Sequence, residues 1–129
     1  FVNLGLVPEA ASSLLLAQLA GHQRAAEKLL FGDPFTAVEA MELGFVNRLL
    51  PTEEVVDFAL RQAQRLATLP AGSVVGTKRL MRTQERRQQL HAHMAREIEL
   101  FSQRLSSAAN REAIEAFKGR RKPNFSGLD

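Results

Sequence analysis

The 129-residue chain carries 17 Lys and Arg against 14 Asp and Glu, a formal charge of +3 that permits an anionic ligand without the strongly basic surface typical of nucleic-acid binding. It contains no cysteine, which excludes a disulfide scaffold, a Cys-ligated metal centre and thiol catalysis, and places it in a reducing or indifferent compartment, the cytoplasm by expectation. With 45% hydrophobic residues it can build a core, yet no apolar run reaches the roughly 18 residues that span a bilayer, so no membrane partner is expected.

The chain opens at Phe1 without a methionine or a basic leader, and it is expected to start inside a longer gene product. Phe1 to Val7 is too short and Gly-broken for a helix and reads as the end of a strand or a loop. Pro8 then suits a first helical turn, where its missing N–H would be unpaired anyway, and the spacing predicts a helix from Ala10 to Ala20 stopped by Gly21. His22 to Phe31 forms a second helix, closed by Gly32–Asp33–Pro34. Thr36 with Glu39 three residues on is a capping box for a third, and Gly44 ends it.

Phe45 to Pro51 has β-type residues and a proline stop, which predicts a short strand or an extended link. Thr52 caps the next helix, which runs to about Thr68, and after Pro70 another spans Ser73 to Arg82. Glu85 to Leu105 is the longest helix, with Leu90, Met94, Ile98, Phe101 and Leu105 spaced as one apolar face. Asn110 to Lys118 is the last, and a basic tail follows it.

Glu9 is the lone acid in the first 26 residues and precedes a run of small residues, Ala10, Ala11, Ser12 and Ser13. In a first helical turn its charge would be stabilised by the helix dipole, by about 0.3–1 kcal/mol, and that is a sufficient reason for an acid there. The small residues around it also leave room for a thin acyl chain, which makes it a candidate proton acceptor. His91 and His93, two apart on a helix, point to nearly opposite sides, so no metal site is expected. Ser12 and Ser13 have no His–Asp arrangement nearby in sequence, which argues against a nucleophile. Phe117 followed by Arg120 sets an aromatic one turn before a guanidinium, an arrangement suited to an adenine ring beside its phosphates.

The segments LGLVPEAASSLLL, GHQRAAEKLLFGDPFTAVEAMELGFVNRLLP, ATLPAGSVVGTKRLM and REAIEAFKGRRKPNF together resemble the crotonase superfamily, the enoyl-CoA hydratases and isomerases, over essentially the whole chain. The resemblance implies the predominantly α-helical C-terminal portion of an α/β fold built from a spiral of ββα units, with at most one or two short strands here. Residues 1–70 would be the end of the spiral core with the catalytic helix, and residues 71–129 a helical region for assembly and CoA contact. Hydratases of the family use two glutamates, and the position of the second, three residues before Leu4–Gly5, is Phe1 in this chain. The peroxisomal-type Δ3,Δ2-enoyl-CoA isomerases instead carry one catalytic glutamate in a Pro/Thr-Glu-Gly/Ala motif, which Glu9 matches, with Ala10–Ala11 where that branch often shows glycine.

The resemblance therefore implies a proton shuttle, Glu9, moving a double bond from a 3-enoyl-CoA to a 2-enoyl-CoA through an enolate. Phe101, Phe117 and Arg120 stand where family members contact CoA. CoA belongs to the substrate, and no separate cofactor or metal is implied. A homo-oligomer is expected, a trimer or dimer of trimers in the full-length protein. The resemblance implies that the oxyanion hole would lie in the other half of the family's domain, so the isolated chain is expected to be inactive. Hydration of 2-enoyl-CoA in fatty acid β-oxidation and a purely oligomerising role are the alternatives.

Overall fold

The computed structural model describes residues 1–128. Their regular structure is entirely helical: α1 (Ser12–Ala20), α2 (His22–Phe31), α3 (Ala37–Glu42), α4 (Val55–Ala67), α5 (Ala71–Met81), α6 (Gln84–Leu105) and α7 (Ala108–Lys118), with 3₁₀ turns at Val2–Leu4 and Thr52–Glu54. Neither stretch with strand character forms one among the described residues. Phe1–Val7 contains the first 3₁₀ turn, and Phe45–Pro51 is a link without regular structure. Both lack a pairing edge within this chain, and isolated extended segments have no ladder to satisfy them.

Local chemistry sets the starts of α3, α6 and α7. Thr36 and Glu39 form the full capping box, each side chain bonded to the other's backbone N–H. Thr83 Oγ1 accepts from the Arg86 N–H, and Ser107 Oγ accepts from the Asn110 N–H, starting α6 and α7. α1, α2, α4 and α5 start without a side-chain cap of their own. α1 begins at Ser12 rather than Ala10, four residues beyond Pro8, and its N-cap, Ala11, has no side chain that can cap.

The opening segment is the hub of the packing. Asn3 Nδ2 donates to the Gly32 carbonyl at the end of α2, 3.1 Å away. On the other side Asn110 Nδ2 donates to the Leu4 carbonyl at 2.8 Å, and Arg104 Nε donates to the Gly5 carbonyl at 3.4 Å. The Phe1 ring meets Phe101 of α6 edge-on, with centroids 6.3 Å apart. Residues 1–5 are thus held between the end of α2 and the α6–α7 corner.

The buried apolar set is small: Ala11, Leu16, Ala25, Leu43, Ala109, Ala113 and Ala116. α4 and α5 bury no residue. Total exposed surface is 10134 Å², against about 6,800 Å² for a compact monomer of this mass. Leu30, Phe31, Leu80, Met81 and Phe117 are each about two-thirds exposed or more. The apolar stripe of α6 divides as well. Leu90, Met94 and Phe101 turn inward, while Ile98 and Leu105 face out.

Candidate functional site

Glu9 precedes the N-cap of α1 by two residues, so it stands outside the first helical turn, and the helix-starter account of its charge does not apply. Its side chain is exposed. Its carbonyl accepts from the Ser12 N–H and from Ser12 Oγ, at 3.0 and 2.6 Å, closing a tight turn around Ala10 and Ala11. Both alanines are left-handed, with φ of 57° and 59°. For a residue with a Cβ that conformation costs roughly 1–2 kcal/mol, so other contacts must hold it.

Those contacts come from α6. Glu97 is 6% exposed, and its carboxylate sits at the N-terminus of α1. Oε2 accepts from the Ala11 N–H at 2.5 Å, and Oε1 accepts from the Ser13 N–H at 3.1 Å and the Ser13 hydroxyl at 2.5 Å. A buried carboxylate is costly unless its lone pairs are met, and here three donors and a helix dipole meet them. Glu97 therefore supplies the cap that Ala11 lacks.

His93, one turn earlier on α6, places Nε2 2.7 Å from Ser13 Oγ and 3.5 Å from Glu97 Oε1. The single hydroxyl proton of Ser13 goes to Glu97, so His93 Nε2–H donates to Ser13 Oγ. Sequence reasoning missed this grouping, because 80 residues separate Ser13 from His93. The only trace of it was a serine pair at a helix start and a His–Glu pair at i, i+4. The geometry is not that of an activated nucleophile. Serine and carboxylate both meet the same ring nitrogen, whereas a catalytic triad sets them on opposite nitrogens.

The other candidates fall into different surroundings. Phe101 is half-buried against Phe1. Phe117 projects from the end of α7 with 81% of its surface exposed. Arg120 is exposed and left-handed at φ 51°, just past the helix. Its neighbour Arg121 pairs with Glu112, which also accepts from the Asn124 N–H, so part of the basic tail has a structural task. Phe101 and Phe117 do not stack on each other among the described ring pairs.

Two grooves are lined by residues other than Glu9 and its neighbours. One of about 740 Å³ runs between the Phe45–Leu50 link and α4, and one of about 610 Å³ between the end of α4 and α5. Among the described residues no group of three or more His, Asp or Glu is placed to hold a metal, and no helix is long and apolar enough to cross a membrane.

Residues 1–128 match the family model for enoyl-CoA hydratase/isomerase, and the chain belongs to that family. It is 29% identical to 2,3-dehydroadipyl-CoA hydratase of Escherichia coli, over 98% of this chain and 49% of the relative. It is 34% identical to enoyl-CoA delta isomerase 2 of Rattus norvegicus, over 94% of this chain and 31% of that protein. A crystal structure of an enoyl-CoA hydratase/isomerase from Pseudoalteromonas atlantica superposes with a TM-score of 0.88 at 38% identity, covering 98% of this chain and 50% of the other. The chain thus spans about half the length, or less, of the curated relatives it matches.

Proposed function

We propose that this chain supplies the proton-shuttling carboxylate, Glu9, of an acyl-CoA isomerase that converts a 3-enoyl-CoA into a 2-enoyl-CoA. The observation that carries the reading is the placement of Glu9: an exposed carboxylate on a built, left-handed turn, outside the helix that would otherwise explain it. The Glu9 carboxylate takes the proton from C2 of the thioester, and the electron pair spreads over the dienolate onto the thioester oxygen. The same carboxyl group returns the proton to C4, and the double bond comes to rest between C2 and C3. One base suffices for this, whereas hydration needs a positioned water and a second acid or base. The position matched to the hydratases' second glutamate is Phe1 in this chain.

The exposed apolar surface of α1 and α2 supports a reading in which further chain completes the acyl pocket and provides the oxyanion donors, so that these 129 residues alone turn over no enoyl-CoA. Phe117 and Arg120 are proposed to meet the CoA nucleotide, and the full protein to assemble as a homo-oligomer. Hydration of 2-enoyl-CoA is the second reading, favoured by the hydratase named among the relatives. Turnover of 3-enoyl-CoA by the Glu9→Gln protein tests between them.

A further inference from the structure

We infer that Glu97 is a positioning residue for the reaction: its buried carboxylate fixes the left-handed Ala10–Ala11 turn and so sets the direction in which Glu9 is presented. The inference rests on the reading of Glu9 as the proton shuttle. Its own ground is the hydrogen bonding that joins α6 to the start of α1.

Two successive alanines do not adopt left-handed backbone unaided. The residue pair Ala10–Ala11 lies directly after Glu9, so any relaxation of those two φ angles swings the Glu9 side chain as a whole. Ala11 is 1% exposed, and its N–H has one acceptor, Glu97 Oε2 at 2.5 Å. The other oxygen, Oε1, fixes Ser13 through both its N–H and its hydroxyl. The bidentate grip therefore spans the junction between turn and helix. His93 closes the network from the same helix, holding Ser13 Oγ in the orientation that donates to Glu97.

A carboxylate is the group this site requires. The Ala11 N–H, the Ser13 N–H and the Ser13 hydroxyl all donate to it, with His93 Nε2 3.5 Å from Oε1, and an ionised carboxyl only accepts. An amide of the same shape would aim an NH₂ at one of those donors. The hydroxyl of Ser12 closes the turn from within, but it touches only the Glu9 carbonyl and does not reach the Ala11 N–H. Glu97 is thus the group that couples the long helix α6 to the geometry of the proposed base, without being placed to touch substrate itself.

The test is Glu97→Gln in the full-length protein, assayed well below its melting temperature. Amide hydrogen exchange at Ala11 and Ser13 should accelerate at least about ten-fold while exchange at Leu16, deeper in α1, stays unchanged. kcat for 3-enoyl-CoA should fall about ten-fold or more, with KM within about two-fold. Accelerated exchange at full kcat would overturn the inference, since Glu97 would then be a helix cap only. Unaltered exchange at Ala11 would overturn it as well. Ser13→Ala, which removes one of the bonds and keeps the Ala11 contact, decides the matter if the first variant does not fold: exchange and kcat should then move together by a smaller factor, and faster exchange at full kcat would refute the role. Glu9→Gln run in parallel separates the two ideas. Full turnover by that variant would reject the base assignment, while the hold of Glu97 on the turn is still decided by amide exchange.

Discussion

Asn110, buried at the start of α7, donates its side-chain N–H to the Leu4 carbonyl 2.8 Å away, and the next residue, Gly5, lies against the same helix start. A Cβ on Gly5 would stand 2.6 Å from the Asn110 backbone nitrogen and 2.7 Å from the Ala109 carbonyl carbon. Backbone atoms cannot swing aside as a side chain can. Gly5 is also left-handed, at φ 65°. The Leu4–Gly5 pair is therefore where the opening loop is set on the α6–α7 corner.

Asn110→Ala leaves the Leu4 carbonyl without its partner and is expected to destabilise by about 1–3 kcal/mol. Gly5→Ala adds steric overlap to a left-handed cost of roughly 1–2 kcal/mol, so it should be the more damaging of the two. Chemical denaturation midpoints of both variants check the order. Equal and negligible losses would mean that the loop is not anchored at this corner.

Ala10→Gly relieves about 1–2 kcal/mol of left-handed strain at a cost of about 0.4–1 kcal/mol in unfolded-chain entropy, for an expected gain of roughly 0.5–1 kcal/mol. At Ala11 the same change also removes a buried methyl, worth about 0.8 kcal/mol, and should come out close to neutral. A melting curve of each variant distinguishes them. Destabilisation by Ala10→Gly would show that the turn is not strained.

Much of this fold is legible in the sequence because it is local. The Thr36–Glu39 box, Gly21, Gly32 and Gly44 all act within a few residues, and α2 runs from His22 to Phe31 as the spacing predicts. The start of α1 is not legible, because its cap is Glu97, 86 residues beyond Ala11. Nor does alanine's preference suggest left-handed backbone at Ala10 and Ala11. The inward face of α6 is hidden for a related reason: it carries His93, Glu97 and Arg104 among its apolar residues, so hydrophobic spacing alone gives only part of it. Glu9 could be singled out from its neighbours, but its place outside the helix depends on the hold of distant Glu97 on Ala11 and Ser13, which no local pattern shows.

Acid should weaken two surface clamps. The Lys28 ammonium, followed by the Thr36 backbone N–H, holds the Glu39 carboxyl at about 2, and the Arg121 guanidinium, followed by the Asn124 N–H, holds Glu112 at about 2. Both lie below the ordinary 4.5 of the unfolded chain, so their stabilisation is fully present above pH 4.5 and is lost as pH falls through 2. Urea midpoints measured over that range should fall less steeply for Glu112→Gln than for the unaltered protein. Superimposable curves would mean that the Arg121 clamp does not stabilise the fold.

The proposed contact of Arg120 with the CoA nucleotide predicts that Arg120→Ala in the full-length protein raises KM for CoA thioesters with little change in kcat, the pattern of a contact made equally in ground and transition states. Initial-rate kinetics across substrate concentration check it. An unchanged KM would leave Arg120 as one charge on a solvated tail.

The most direct measurement is the rate at which full-length Glu9→Gln protein converts 3-enoyl-CoA to 2-enoyl-CoA, alongside its melting temperature. The amide keeps the shape and removes the basicity, so turnover should fall by on the order of 10²-fold or more. Stability should stay within about 0.5 kcal/mol, because the exposed side chain stands outside α1. Near-normal turnover would contradict the account. So would a wild-type protein that adds water to 2-enoyl-CoA faster than it isomerises the 3-enoyl substrate and loses that hydration in the variant, which would make Glu9 part of a hydratase.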